Sequence, residues 1–452
     1  MDPTTTYMPR IRARKSSNIN LMKISLVSLG CLKNQADSES LLGLLAGRGI
    51  KHTEDPDEAD ALLVNTCGFI EDAKRESIDA VLNLLEQKRD GQRLIVLGCL
   101  SKRYMDELSR EMPEVDAFFG VGQAAKIAEF LSGKPVESLV EPANKVNKVT
   151  PLILAAPTFA PLKAAEGCSR RCGFCVIPSI RGPYKSRALE EVLAEARGFL
   201  KSGIKELLVV AQDLSSYGRD LKGGYGLPEL LHDLATLEDT EYRVRPLYLY
   251  PTEVSGRLLE TISGHERVCS YFDIPLQHSE DRILKAMGRG GDRKKYLELI
   301  ETIRKDVPDA AIRTTLIVGF PGESEDEFSA LLEFVEEAGF DHLGAFMYSD
   351  EEGTPAARMD DKVPGEIMER RLEELMGVQA EISRERNERL VGRGFRVLVD
   401  ERREEGVIAR LERQAPDVDG VLYLSGCDAK VGEFVDVEVT AASDYDLEGL
   451  CP

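Results

Sequence analysis

The sequence predicts an α/β protein with three parts: an N-terminal parallel α/β domain, a central partial TIM-type (β/α)6 barrel and a small C-terminal antiparallel β-barrel. With 452 residues, the chain is too long for one ordinary domain. Up to residue 390, short apolar strands alternate with amphipathic helices, a pattern that gives parallel sheets. After residue 390, short strands follow one another without a helix, which is typical of a small antiparallel barrel.

The first domain is expected at residues 22–140, after a disordered tail at 1–21 that carries four basic side chains and no apolar stretch. Three strand–helix units are predicted within this domain. The strands are Lys23–Leu29, Ala61–Asn65 and Leu94–Gly98, and the helices are Ser38–Ala46, Glu71–Gln87 and Lys102–Glu111. Right-handed crossovers place such strands side by side in one parallel sheet.

A proline-rich stretch at residues 141–160 lacks this rhythm and predicts a linker. The alternation returns at residues 161–390, where six consecutive strand–helix units favour a barrel or partial barrel, closed by a long helix at Pro364–Leu390. The six predicted strands are Leu162–Ala165, Glu206–Ala211, Val244–Leu249, Tyr271–Ile274, Ala311–Val318 and His342–Met347.

The last part, residues 391–452, carries seven basic and fourteen acidic side chains, a net charge of −7. Its predicted strands are Phe395–Asp400, Gly406–Leu411, Gly420–Leu424 and Phe434–Val439. The whole chain has a net charge of −21, from 58 basic and 79 acidic side chains. Such a surface repels phosphate backbones and anionic membranes, so the composition favours a basic protein partner over nucleic acid.

The cysteine count and the lack of a targeting segment indicate the cellular compartment. No apolar run approaches the roughly 20 residues that span a bilayer, so no membrane partner is expected. The nine cysteines are an odd number in a chain without a secretory signal. Both features indicate a reducing, cytoplasmic location and argue against a disulfide framework.

Three cysteines in one short segment carry the strongest chemical signal. Cys168, Cys172 and Cys175 follow a predicted strand with C-x3-C-x2-C spacing. Three thiolates in one loop suit a 4Fe–4S cluster with one iron open to an exogenous ligand. A structural zinc site needs four ligands, and the nearest histidine in the sequence is His232. A zinc knuckle completed by a distant residue is the alternative.

Three other cysteines are dispersed along the first domain. Cys31, Cys67 and Cys99 each lie within two residues of the end of a predicted strand. The carboxyl ends of parallel strands gather at one edge, so these thiols are expected to meet there and form a second three-thiolate site. The alternative is three buried structural cysteines. The remaining cysteines, which have no partner at ligand spacing, are expected to be structural: Cys269, Cys427 and Cys451.

With these motifs, the sequence resembles the radical S-adenosylmethionine superfamily through Cys168, Cys172 and Cys175. Together with the upstream trio it resembles the methylthiotransferases of that superfamily, over nearly the whole chain after Met22. The resemblance implies an N-terminal domain with an auxiliary cluster, a radical barrel and a C-terminal barrel called TRAM. It also implies two 4Fe–4S clusters, a low-potential electron donor, and S-adenosylmethionine as both methyl donor and radical source.

Two branches of that family differ in substrate. One modifies adenosine in tRNA, and the other modifies the β-carbon of an aspartate in small-subunit ribosomal protein uS12. The segment 175–187 (CVIPSIRGPYKSR), the run LYLYP around Tyr250 and the run DIPLQH ending at His278 resemble the ribosomal-protein branch. The tRNA branch has PYTRG after the cluster and QSG in place of Gln277-His278. The acidic balance also favours uS12.

Three alternatives remain at this point, and one of them is a zinc-stabilised binding module, which a brown colour of the purified protein would exclude. A tRNA adenosine methylthiotransferase would carry the same cysteines but needs a basic face on its last domain. A non-catalytic iron–sulfur carrier belongs to a different class, and it would not need a six-unit barrel.

The resemblance further implies contacts to S-adenosylmethionine after the second and fifth barrel strands. Gln212 and Asp213 would hold its amino group, and Gly319 and Glu323 would cradle its adenine. Ordinary turns are the alternative for both segments. No catalytic side chain beyond the two clusters is predicted.

Three further polar residues were weighed for roles near the site. Arg181 and Arg187 could reach the cofactor carboxylate or the target aspartate, or could be solvated loop charges. His278 is expected to be a satisfied core residue.

Overall fold

The structure is a computed structural model that describes residues 21–135, 158–404 and 406–451. The predicted tail and almost all of the predicted linker lie outside these residues. The predicted α/β class is confirmed, with a parallel N-terminal sheet, a parallel central barrel and a closed C-terminal barrel. Among the described helices, none is long and apolar enough to cross a bilayer.

The N-terminal domain is a five-stranded parallel sheet with helices packed on it, in strand order β2-β1-β3-β4-β5. Its elements are β1 (Lys23–Ser28), α1 (Leu32–Ala46), β2 (Lys51–His52), β3 (Ala61–Thr66), α2 (Glu71–Gln87), β4 (Arg93–Gly98), α3 (Cys99–Glu111), β5 (Ala117–Phe119) and α4 (Ala124–Leu131). The central strands are nearly all apolar because helices cover both faces. The three predicted strand–helix units are present. The edge strands β2 and β5 were not predicted, because two or three residues are too few to show a hydrophobic period.

The central domain contains six parallel strands in two sheets, ordered β10-β9-β6 and β11-β12-β13, and a bridge between Val244 and Val268 links the two sheets. The six barrel strands are β6 (Phe159–Lys163), β9 (Glu206–Val210), β10 (Arg243–Pro246), β11 (Tyr271–Asp273), β12 (Ala311–Val318) and β13 (His342–Met347). Two short strands, β7 (Ala165–Glu166) and β8 (Lys185–Ser186), form a separate sheet. Its helices are α5 (Ile177–Arg181), α6 (Leu189–Lys201), α7 (Leu227–Ala235), α8 (Gly256–Ser263), α9 (Asp281–Ala286), α10 (Arg293–Asp306), α11 (Glu325–Ala338) and α12 (Gly365–Glu388). β6 and β13 do not pair in the described chain, so the barrel is partial.

The C-terminal domain is a closed five-stranded barrel, ordered β14-β15-β16-β18-β17. Its strands are β14 (Gly394–Arg403), β15 (Gly406–Arg410), β16 (Leu422–Ser425), β17 (Phe434–Ala442) and β18 (Leu447–Leu450). Closure pairs every strand on both sides, which removes the exposed edges of an open sheet. The sequence did not reveal β18, which has only four residues.

The expectation of a chain without disulfide bonds needs correction. Cys427 and Cys451 are joined by a disulfide bond, although neither has a partner at ligand spacing. β16 and β18 are parallel neighbours with Ser425 opposite Leu450, so the residues just past their ends meet. Because β18 was not predicted from the sequence, the disulfide between Cys427 and Cys451 could not be predicted either. Cys269 is a free, buried thiol, as expected.

The C-terminal barrel closes the end of the radical barrel where its strands begin. Ala415 packs against the barrel interior, and Asp419 from the same loop is fully buried. The Asp419 carboxylate pairs with Arg313 at 2.7 Å and accepts a hydrogen bond from the Tyr271 hydroxyl at 2.7 Å. His342 Nδ1 lies 3.5 Å away. A buried carboxylate therefore fastens the two barrels to each other.

Substituting Asp419→Asn should weaken this junction, because Arg313 loses its nearest counter-charge and keeps the Asp273 carboxylate, which is 3.9 Å away. We expect the free energy of unfolding to fall by about 3 kcal/mol, measured by chemical denaturation. The matched control is Asp436→Asn, whose exposed pair with Arg396 should contribute less than about 1 kcal/mol. Equal losses in the two variants would contradict the assigned role of Asp419.

Candidate metal centre

The structure brings the first cysteine trio to one edge of the N-terminal sheet. Cys31 precedes α1, Cys67 follows β3 and Cys99 begins α3, so each lies at the carboxyl end of one of three adjacent strands. Gly30, at φ +86°, permits the close approach, since a Cβ there would lie 2.8 Å from the Cβ of Cys67. The negative charges of the three thiolates influence one another's pKa. The three cysteines thus lie at the sheet edge that the sequence predicted, and their joint role as cluster ligands stays a prediction.

The three thiols have different electrostatic surroundings. Burial raises the pKa of Cys67, and it raises the pKa of Cys99 to about 12. Burial also opposes ionisation of Cys31, but Lys33 and Arg181 outweigh it, and the pKa of Cys31 is lowered. Cys31 is thus the thiol best prepared to ionise, while the other two require a cation as partner.

Asn34 organises the centre of this trio. Its amide donates to the backbone carbonyls of Leu29 and Thr66, both at 3.0 Å. Its carbonyl oxygen accepts from the Cys99 thiol at 3.5 Å and from Arg181. The residue is 1% exposed, so it fixes the positions of the strand ends that carry the cysteines.

The second trio lies in the loop between β7 and α5, at the carboxyl end of the first barrel strands. The loop is held by backbone bonds from Cys168 N to Gly182 O at 3.1 Å and from Gly173 N to Met287 O at 2.7 Å. Burial raises the pKa of Cys168 and raises that of Cys175 to about 12. Arg289 approaches the Cys172 sulfur at 3.7 Å.

The two trios face each other across the boundary between the domains. Val176, next to Cys175, and Ile180 on α5 pack directly against Cys99. Arg181 ends the same helix, and its guanidinium pairs with Asp37 of α1 at 3.0 Å and with Glu166 of β7 at 2.9 Å. A short apolar layer and one buried cation therefore join the two cysteine sites.

A second ionic contact holds the opposite flank of the boundary. Glu351, in the loop after β13, is 1% exposed and accepts from Lys74 at 3.2 Å and from Arg103. Ser349 also donates to Glu351 at 2.7 Å, and its hydroxyl accepts from the backbone of Glu71 at 3.1 Å. The N-terminal domain is thus clamped over the carboxyl ends of the barrel strands from two sides.

Each trio offers three thiols, the number of protein ligands that an open 4Fe–4S cluster takes. In the described ranges, no three His, Cys, Asp or Glu side chains converge closely enough to hold one metal ion. In an open 4Fe–4S cluster each thiolate binds a different iron, so the sulfurs stay apart. Cys67, Cys99 and Cys168 are buried, whereas Cys31 is exposed. Burial raises the pKa of those three buried thiols and of Cys175, and a bound cation would lower it.

The structure places Gln212 and Asp213 where an amino group would be accepted. Gln212 Nε2 lies 3.5 Å from Glu166, while Gln212 Oε1 is buried without a hydrogen-bond partner. Asp213 Oδ2 accepts from Arg170 at 2.8 Å, and Asp213 Oδ1 is likewise buried and unpartnered. Two orphaned acceptors beside the Cys168 loop fit a cationic ligand group such as the ammonium of S-adenosylmethionine.

Glu323 is engaged within the protein, so its carboxylate is not free for a ligand. It accepts from the backbone of Gly319 at 2.9 Å and pairs with Arg371 at 2.7 Å. Gly319 has φ +75°, and a Cβ there would lie 2.2 Å from the Cγ of Met368. The tight turn is therefore explained by packing against α12. The contact of Gly319 and Glu323 with adenine stays a prediction, and only the backbone of this turn could make it.

The three further polar residues considered from the sequence are held by internal contacts. Arg187 donates to Lys163 O at 2.7 Å and pairs with Glu195, so it is not a free loop charge. His278 is fully buried and accepts from the backbone of Glu280 at 3.0 Å. Among the described residues its Nε2, 3.5 Å from Glu323, has no hydrogen-bond partner, so the expectation of a satisfied core residue is wrong for this atom. Arg181 is committed to Asp37 and Glu166 and does not point at open solvent.

Sequence reasoning missed several residues around the centre. Lys33 and Asn34 lie two and three residues after Cys31, and their polarity after a strand end was an available signal. Glu351 and Arg289 are distant from every cysteine in the sequence, and no local pattern indicated them.

Known protein families match each part of the chain. Residues 162–335 match the radical SAM superfamily, residues 391–451 match the TRAM domain, and residues 23–120 match a family described as uncharacterized protein family UPF0004. A radical S-adenosylmethionine methyltransferase, TsrM, from Kitasatospora setae shares the fold with a TM-score of 0.54 and 10% identity, over 74% of this chain and 77% of that chain. The fold and the facing cysteine trios thus define a radical S-adenosylmethionine enzyme.

Curated relatives narrow this class. A ribosomal protein uS12 methylthiotransferase RimO from Aquifex aeolicus is 48% identical over 95% of this chain and 97% of its own length. RimO proteins from Geobacter sulfurreducens and Natranaerobius thermophilus are 46% and 44% identical, over 94% and 95% of this chain and 98% of their own lengths. The chain belongs to the RimO family of methylthiotransferases, as the sequence motifs predicted.

The Glu351 clamp can be tested by substitution. Glu351→Gln keeps the shape but removes the carboxylate that pairs with Arg103 and one of the two that pair with Lys74, the other being Glu71. This change should weaken closure of this flank by about 2 kcal/mol. Hydrogen–deuterium exchange at the start of α2 should become faster. Glu352→Gln is the control, since only its backbone carbonyl contacts Arg103. Unchanged exchange in Glu351→Gln would contradict the clamp.

Proposed function

We propose that the protein attaches a methylthio group to the β-carbon of an aspartate in ribosomal protein uS12. The observation that carries the proposal is the placement of two cysteine trios on facing domains, linked by Val176, Ile180 and Arg181. One trio alone would suffice for radical formation. A second trio at the same boundary supports a reaction in which sulfur is delivered to the activated carbon.

Each trio would hold one 4Fe–4S cluster, and S-adenosylmethionine would bind beside Cys168, Cys172 and Cys175. When bound, these groups supply a carbon-centred radical that can remove hydrogen from an unactivated C–H bond, together with the methyl group and the sulfur. Gln212 and Asp213 would orient the amino group of S-adenosylmethionine through their unpartnered oxygens. Reduction requires a low-potential electron donor.

The remaining tasks belong to residues of this chain. The Glu351 clamp and the Arg181 contacts hold the N-terminal domain over the barrel, which excludes water from the reacting groups. Lys33 lies 3.2 Å from the centre of the Tyr248 ring and lowers the pKa of Cys31, so it favours anionic sulfur there. No described side chain in the site needs to act as a general acid or base.

The proposed substrate is supported by the charge of the chain as well as by its similarity to the RimO relatives. The C-terminal barrel has a net charge of −7 and the whole chain −21, which favours a basic ribosomal protein over tRNA. A tRNA adenosine methylthiotransferase remains the second candidate, because it would use the same two cysteine trios.

Turnover of the reconstituted protein decides between these substrates. The anaerobic reaction contains S-adenosylmethionine, sulfide and a low-potential reductant, with uS12 and unmodified tRNA in one tube. We expect mass spectrometry to show a methylthio group in place of hydrogen on an aspartate of uS12. Modification of tRNA alone would transfer the protein to the other substrate class, and modification of neither would contradict both.

Removing single cysteines should separate the two cluster sites. Cys172→Ala should abolish formation of 5′-deoxyadenosine, whereas Cys67→Ala should retain it while methylthiolation is lost. Iron per chain should fall from about eight to about four in each variant. Cys269→Ala is the control, since this buried thiol belongs to neither trio. Full iron content in either trio variant would contradict the assignment.

Arg289 should tune the cluster held by the second trio. A cation that donates to a ligating sulfur favours the reduced state, so Arg289→Gln should make reduction harder. We expect the midpoint potential to fall by about 60 mV, which corresponds to ~1.4 kcal/mol for one electron. Spectroelectrochemical titration measures this shift. Arg282→Gln is the control, since Arg282 pairs with Glu327 at the surface.

A further inference from the structure

A cavity rich in arginine lies at the end of the radical barrel opposite the cysteines. It has a volume of about 210 Å³ and occupies the junction of α10, α12 and the C-terminal barrel. Ala310 in its wall immediately precedes β12, so the cavity is at the amino ends of the barrel strands. Five arginines line the cavity: Arg304, Arg386, Arg389, Arg393 and Arg413.

Only part of this positive charge is neutralised. Arg393 pairs with Asp309 at 3.0 Å, and Arg413 pairs with Asp341 at 2.6 Å. These contacts account for the two nearby carboxylates. The other three arginines therefore leave an excess of positive charge in a chain whose net charge is −21.

The three remaining guanidinium groups have many unused donors. Arg304 donates to Gly339 O at 2.6 Å, but its Nε is buried without an acceptor. Among the residues that the structure describes, the carboxylate nearest to the Arg386 guanidinium is that of Asp341, at 3.9 Å. In the described residues, no acceptor lies within hydrogen-bond distance of the Arg389 side chain. Burial and the neighbouring Arg386 lower the pKa of Arg304 to about 10, as expected where cations crowd together.

Helix ends explain some of this arrangement. α10 and α12 both finish beside the cavity, and a cation near a helix carboxyl end gains about 0.3–1 kcal/mol. The single bond from Arg304 to Gly339 O fits that explanation. The explanation does not provide acceptors for Arg386 and Arg389, which lie on the same concave surface.

We propose that this cavity binds a phosphate group, supplied either as free phosphate or by an RNA chain. Guanidinium groups match phosphate oxygens with paired hydrogen bonds, and Arg386 and Arg389 have the donors to make them. The volume corresponds to about seven waters at ~30 Å³ each, enough for one tetrahedral anion with solvent. A whole nucleotide would require a larger cavity.

Calorimetry with inorganic phosphate tests the site on the reconstituted, full-length protein in a phosphate-free buffer. We expect saturable binding that weakens at least about tenfold in Arg386→Gln/Arg389→Gln, since charge-assisted bonds contribute ~1.5–3 kcal/mol each. Arg370→Gln is the matched control, because Arg370 lies on α12 outside the cavity and pairs with Glu325. Absence of phosphate binding, or equal affinity in the double variant, would overturn the proposal.

A second titration distinguishes free phosphate from the phosphate of an RNA chain as the ligand. A fluorescent single-stranded RNA is titrated against the same proteins, and inorganic phosphate is added as a competitor. RNA binding that is lost in the double variant and displaced by phosphate supports an RNA ligand, whereas phosphate binding without RNA binding supports the free ion. If the double variant is misfolded by circular dichroism, Arg389→Gln replaces it, because this exposed side chain has no described partner to lose.

Discussion

The buried guanidinium of Arg181 is the interaction on which the arrangement of the site depends. A charge removed from water must be paired, and Arg181 takes its counter-charges from both domains, Asp37 on one side and Glu166 on the other. Lys163 pairs with the same two carboxylates. Separating the domains would leave Asp37 without its two cations, and Arg181 and Lys163 would have to share Glu166, so the network favours a single closed arrangement.

The same network sets the electrostatics of the cysteines. Arg181 lies close enough to Cys31 and Cys99 to favour their ionised forms, although it belongs to the opposite domain. A contact that holds the domains together therefore also prepares the auxiliary trio for its cations. Helix α5 connects the Cys168–Cys175 loop to the domain boundary within five residues, because it begins just after Cys175 and ends at Arg181.

Sequence reasoning recovered the features that repeat or that lie at strand ends. The six barrel strands followed from hydrophobic period, and the placement of Cys31, Cys67 and Cys99 at one sheet edge followed from the polarity of parallel sheets. What remained hidden depends on contacts between distant segments. Examples are the pairing of Glu351 with Arg103, the approach of Arg289 to Cys172, and the disulfide that depends on β18.

The division of counter-charges between two domains limits how this protein can be recombined. An N-terminal domain taken from a relative would have to supply a carboxylate at the position of Asp37, or the graft would bury Arg181 with half its partners missing. The unit of exchange between relatives is therefore the pair of domains, and substitutions on the two sides of the boundary are expected to accumulate together.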